Sequence, residues 1–97
     1  MKPPETIDGA NVLEWAWSGD MPFGVVYSLG SNEAPVEIYG LALCKYKNSN
    51  VIYRFSCDSV WETEQDSEYS SIEDAKANIP SQYRNASILW NKYDQGT

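Results

Sequence analysis

The densest group of side chains that could do chemistry is a run of carboxylates in the second half of the chain. Half of the 14 acidic residues fall in one stretch without a lysine or arginine: Asp58, Glu62, Glu64, Asp66, Glu68, Glu73 and Asp74. Paired carboxylates can hydrolyse glycosides when a cleft fixes their separation, and oxygen-rich loops bind Ca²⁺. The spacing lacks the glycine and the downstream glutamate of a calcium loop, and so small a chain leaves little room for a closed cleft. We therefore predict that the chain is not an enzyme and holds neither a metal nor a cofactor.

The chain has no histidine and only two cysteines. Most catalytic nucleophiles and most transition-metal sites in proteins depend on these two residue types, so such sites are not expected here. Neither a Ser-His-Asp catalytic triad nor a Cys-His catalytic dyad can be built from these residues. Cys44 and Cys57 lack the spacing of a zinc site, and Asp58 would oppose a reactive thiolate at Cys57. No apolar segment of signal-peptide length follows Met1, so we expect a cytoplasmic protein with reduced core thiols.

The net charge of −7 points to the class of partner. A negative field repels nucleic acids and anionic membranes, and it favours a basic protein partner. The alternative is that the acidity only keeps the protein in solution. Within the acidic stretch we predict Trp61 as an exposed anchor, because tryptophan is common at binding hot spots; for Tyr69 we favour local packing beside a helix start. The candidate partner-binding residues are Asp58, Trp61, Glu62, Glu64, Asp66, Glu68 and Tyr69.

A β-hairpin is the clearest structural element. Two strand-like runs, 38–46 and 51–57, flank the turn formers Lys47-Asn48-Ser49-Asn50. If Tyr46 pairs with Val51, small residues lie opposite large ones, which suits a helix across that face: Cys44 faces Tyr53, Ala42 faces Phe55 and Gly40 faces Cys57. In this register the two cysteines share a face but are too far apart for a disulfide.

The remaining elements complete an α+β domain spanning 1–97. Residues 1–11 are predicted to be an irregular lead-in. Further strands are expected at 12–17, 23–29, 60–64 and 87–93, with a loop at 65–68. In the strand 12–17, Leu13, Trp15 and Trp17 should share a buried face.

One helix should follow the acidic loop. Ser70 and Glu73 have the spacing of a capping box; the helical face consists of Ile72, Ala75, Ile79 and Tyr83, and Pro80 should end the helix. The predicted fold is a mostly antiparallel sheet of four to five strands with one helix packed on a face.

The run from Leu41 to Trp90 resembles a small bacterial domain met among immunity-type proteins. The resemblance covers about half of the chain, and residues 1–37 lie outside it. It is carried by the Phe-Ser-Cys-Asp turn at 55–58, Trp61-Glu62, the segment 69–76 and a closing strand with Trp90. It implies inhibition of a cognate toxin by binding. The acidic stretch adds the prediction that the bound surface is a basic active site, such as the groove of a nuclease. The alternative is a structural or regulatory domain that forms homo-oligomers through an uncovered sheet edge.

Overall fold

The computed structural model describes residues 1–27, 34–83 and 88–93. In chain order its elements are β1 (Thr6–Ile7), β2 (Ala10–Trp17), β3 (Gly24–Val26), β4 (Val36–Ile38), β5 (Gly40–Lys45), β6 (Ile52–Cys57), β7 (Thr63–Tyr69), α1 (Ile72–Ala77) and β8 (Asn91–Lys92).

One antiparallel sheet organises the fold. Its strand order is β1-β2-β5-β6-β7, with the short β8 also paired to β2, while β3 and β4 form a separate two-stranded sheet. The predicted class, a mostly antiparallel sheet with one helix, is confirmed for the described part of the chain, although the helix has only 6 residues.

The hairpin register is confirmed. Gly40 pairs with Cys57, Ala42 with Phe55 and Cys44 with Tyr53. Both cysteines are buried and free, as the register predicts.

The helix packs on the face opposite to the predicted one. Ile72 and Ala75 of α1 pack near Leu43 and Ile52, not near Ala42 and Phe55. The small residues instead make room for indole rings, because Trp15 lies opposite Ala42 and Trp61 lies on Gly40. The pairing of small with large residues therefore predicted correctly that this face is covered. The prediction that a helix covers it was wrong, because the tryptophan rings do.

A β-bulge in β2 overturns the prediction that Leu13, Trp15 and Trp17 share a face. The pairing with β5 skips Leu13, between Val12 and Glu14. The extra residue shifts the alternation of side chains, so Leu13 packs on the helix side while both tryptophans pack beside Val12 on the other. The bulge also places Glu14 on the helix side, opposite Leu43.

Several element boundaries differ from the predictions. The lead-in 1–11 contains β1, which joins the start of β2 through a turn at Asp8 and Gly9. The predicted loop 65–68 is part of strand β7, which begins at Thr63. Residues 28, 29 and 87, at the ends of two predicted strands, lie outside the described residues.

The helix begins one residue later than predicted. Ser71 is the N-cap, and its Oγ accepts a hydrogen bond from the Asp74 amide at 3.0 Å. The Asp74 carboxylate in turn accepts from the Ser70 amide. The helix ends at Ala77, before Pro80.

Candidate functional site

The structure divides the seven carboxylates of the acidic stretch into two sets. Glu73 and Asp74 belong to the first turn of α1, on the helix side of the sheet. The other five line the turn after β6 and the strand β7, and we call them the acidic edge: Asp58, Glu62, Glu64, Asp66 and Glu68. The predicted acidic stretch therefore divides between the first turn of α1 and the segment formed by β7 and the turn before it.

The turn after β6 is built on Asp58. Its Oδ1 accepts hydrogen bonds from the amides of Val60 at 2.9 Å and Glu62 at 3.0 Å. One carboxylate oxygen from each of Asp58, Glu62 and Glu64 lies within 4.8 Å of the others. The pKa of Glu64 is raised above its usual range, first by loss of hydration and then by the charges of Asp58 and Glu62. This end of the sheet therefore holds crowded negative charge.

Asp66 and Glu68 continue the acidic edge along β7. They pair with Phe55 and Tyr53, so both lie on the sheet face away from the helix, and both are exposed. The Tyr53 hydroxyl donates to Glu68 Oε1 at 3.3 Å. The pKa of the Tyr53 phenol is raised by loss of hydration and next by the Glu68 charge.

Within the described residues, no carboxylate of the acidic edge forms an ion pair, and the nearby cations are committed elsewhere. Lys76 Nζ binds Glu14 Oε1 at 2.7 Å. The buried Arg54 donates to the Tyr69 hydroxyl at 2.6 Å and to Ser67 Oγ at 3.3 Å. Arg84 lies outside the described residues. No cation of the described residues therefore neutralises the acidic edge.

Trp61 is not the exposed anchor that the sequence predicts. Its relative exposure is 6%, and its ring centroid lies 6.4 Å from that of Trp15 and 5.6 Å from that of Trp17. Its Nε1 donates to the Met1 carbonyl at 3.2 Å. The indole is buried because Gly40, which has no side chain, leaves a slot on the sheet.

Tyr69 is half-buried and closes the space between β7 and α1. Its ring packs against the cluster of Leu43, Ile52 and Ala75, and its hydroxyl donates to the Asn78 carbonyl at 3.4 Å. These contacts give Tyr69 a packing role beside the helix.

Sequence reasoning missed a cleft on the helix side of β2. The cleft has a volume of about 560 Å³ and is lined by Leu13, Glu14, Ile72, Glu73, Lys76, Lys92 and Tyr93. It forms where the bulge at Leu13 turns Glu14 beneath Lys76. A glutamate inside an apolar strand was the only sequence signal for it. The cleft contains no thiol.

The two thiols lie in the core instead. Burial raises the pKa of Cys44 and Cys57 to about 12, so neither thiol is a nucleophile at neutral pH.

No known protein family, curated protein or solved structure matches this chain. The described residues contain no helix with the length and hydrophobicity that a transmembrane segment requires.

Proposed function

We propose that the protein is a non-enzymatic binding protein that recognises a basic protein partner through the acidic edge. The observation that carries the proposal is the set of five carboxylates along the turn and the edge strand, without an ion pair among the described residues. Opposite fields accelerate encounter and orient the partners before contact.

The most concrete form of the proposal is an immunity-type inhibitor of a bacterial toxin, acting in the cytoplasm. A toxin that binds phosphate groups, such as a nuclease, has lysine and arginine side chains in its active site. Carboxylates of the acidic edge would pair with these cations and block access of the substrate. The buried Trp61 contributes to this role by supporting the turn and not by contacting the partner.

The second candidate is a homo-oligomer formed through the sheet edge, and the open side of β7 favours it. The charges oppose it. In an antiparallel pair of two β7 strands, Asp66 lies opposite Asp66 of the second copy when the two-fold axis passes through that residue. It lies opposite Glu68 when the axis passes through Ser67. Like charges directly opposite each other destabilise a sheet, so we favour the basic partner.

The test compares two triple variants that each remove three negative charges. E64Q/D66N/E68Q alters the acidic edge, and E5Q/D20N/E37Q alters exposed acids elsewhere. Proteins captured from the source cell by the unmodified chain are purified, and their association rates are measured at rising ionic strength. We expect the rate to fall steeply with salt, to drop for the edge variant and to hold for the matched control.

An inhibition assay completes the test. The captured partner's own activity, for example cleavage of RNA or DNA, should be lost on addition of the unmodified chain and retained with the edge variant. Equal association rates for both triple variants, or a rate insensitive to salt, would contradict the proposal.

A further inference from the structure

We infer that the basic partner binds by adding a strand to the open side of β7, an inference that rests on the proposed function. β7 ends the strand order of the main sheet, and no described strand pairs with its outer side. The outer side of an edge strand presents unpaired N–H and C=O groups, which can bind an extended segment of another protein.

The usable part of this edge is Gln65–Tyr69. The register with β6 is unbroken from Tyr69 opposite Ile52 to Gln65 opposite Ser56. It then skips Glu64, which occupies a bulge. A bulge bends the strand and interrupts regular pairing, so an added strand is limited to about five residues of contact.

The two faces of this segment differ in charge. Asp66 and Glu68 lie on the face away from the helix, opposite Phe55 and Tyr53. The alternate residues, Gln65, Ser67 and Tyr69, lie on the helix side and carry no charge at neutral pH. Residues directly opposite each other on neighbouring strands share a face.

This alternation specifies the chemistry of the added strand. Cationic side chains must occupy two positions separated by one residue, so that they meet Asp66 and Glu68 on the same face. The residue between them lies beside Ser67 on the helix side, where β7 offers no negative charge to pair with a cation. The structure therefore assigns the partner a Lys-x-Lys or Arg-x-Arg strand and not merely a basic surface.

Two fluorescent heptapeptides of identical composition test the inference. The first is Thr-Lys-Thr-Lys-Thr-Lys-Thr, which places every lysine on one face of a strand. The second is Lys-Thr-Thr-Lys-Thr-Thr-Lys, which has the same net charge but no Lys-x-Lys pair. We expect the alternating peptide to bind about five- to tenfold more tightly by fluorescence anisotropy at low salt. A third peptide, the alternating sequence N-methylated at every residue, should lose binding because its backbone cannot donate hydrogen bonds.

Backbone amide exchange and a matched pair of variants locate the contact. The alternating peptide should slow hydrogen exchange within Gln65–Tyr69. D66N/E68Q should remove the preference between the two heptapeptides, and D20N/E37Q, which changes exposed acids outside β7, should keep it.

The outcomes separate this inference from the proposed function. Equal, salt-sensitive binding of the two heptapeptides would overturn strand addition while leaving recognition by charge intact. No detectable binding of either peptide would also overturn strand addition. The proposed function would then be decided by the association rates of the captured partner with the two triple variants. Binding unaffected by N-methylation would show that side-chain charge acts without the backbone edge.

Discussion

The indole of Trp61 lies directly against the backbone of Gly40. A Cβ atom built on Gly40 would stand 2.5 Å from Trp61 Cζ3, well inside the closest approach of carbon atoms. The contact joins the start of β5 to the turn after β6, from which the acidic edge begins. Trp61 also has a φ of 64°, uncommon for a residue other than glycine. The packing of Trp61 on Gly40 therefore holds the turn between β6 and β7 in its conformation.

Gly40→Ala should destabilise the protein by about 1–3 kcal/mol, because the added methyl group forces the indole out of its slot. Urea unfolding followed by fluorescence measures the change. In a double-mutant cycle with Trp61→Phe, the two effects should be less than additive, since the smaller ring leaves space for the methyl group. An unchanged free energy of unfolding for Gly40→Ala would contradict this packing of the indole on Gly40.

Asp58→Ala should cost about 1–2 kcal/mol, because Asp58 Oδ1 accepts the amide hydrogen bonds of Val60 and Glu62. Asp58→Asn keeps this acceptor and removes repulsion with Glu62 and Glu64, so its stability should equal or exceed that of the unmodified protein. Chemical denaturation of both variants provides the comparison. If the asparagine variant were as unstable as the alanine variant, the turn would depend on charge and not on the hydrogen bonds.

Lys76→Met should destabilise the protein by about 1–3 kcal/mol, because it leaves the Glu14 carboxylate, 11% exposed, without its cation. Lys92→Met is the matched control. Lys92 is exposed and lies opposite Glu14 in the sheet, and its loss should change stability by less than about 0.5 kcal/mol. The double variant E14Q/K76M should regain part of the stability lost in K76M. Equal losses for the two lysine variants would rule out the ion pair as the cause.

Stability should decrease at alkaline pH because of the two buried thiols. Burial raises the pKa of Cys44 and Cys57 from 9.0 to about 12. Above about pH 9 the unfolded chain therefore loses protons that the folded chain keeps. The free energy of unfolding should fall between pH 9 and 12, by up to about 1.4 kcal/mol per pH unit for each thiol.

Urea titrations at pH 8, 9 and 10 measure how the free energy of unfolding depends on pH. The C44A/C57A variant should show a weaker pH dependence, even if the two substitutions also change the stability at pH 8. Iodoacetamide should label neither thiol in the folded protein at pH 8 and both in urea. Rapid labelling of the folded protein would contradict their burial.

The unmodified protein should remain monomeric over a wide range of concentration, because the carboxylates of β7 repel a second copy. E64Q/D66N/E68Q removes this repulsion and should self-associate more strongly than E5Q/D20N/E37Q. Sedimentation velocity at several concentrations tests both expectations. A tight dimer of the unmodified chain that buries β7 would favour the homo-oligomer over the binding protein.

Local patterns in the sequence determined a large part of the framework. The turn formers at 47–50 and the sizes of the flanking residues predicted the hairpin and its register, from Gly40 opposite Cys57 to Cys44 opposite Tyr53. The same register predicted two free thiols. A serine cap followed by Ile72 and Ala75 predicted the helix within one residue of its start. These features depend on residues close in sequence or on one register, so the sequence alone is sufficient for them.

Only the tertiary structure decided which faces are covered and by what. The bulges at Leu13 and Glu64 each shift the two-residue alternation of a strand, and a bulge forms where contacts with other strands require it. Trp61 is buried because Gly40, 21 residues earlier, leaves room for its ring. The sequence shows that acidic residues are concentrated between the hairpin and the helix. Their division between an open strand edge and the first turn of a helix follows from the packing of β6, β7 and α1, which no local pattern encodes.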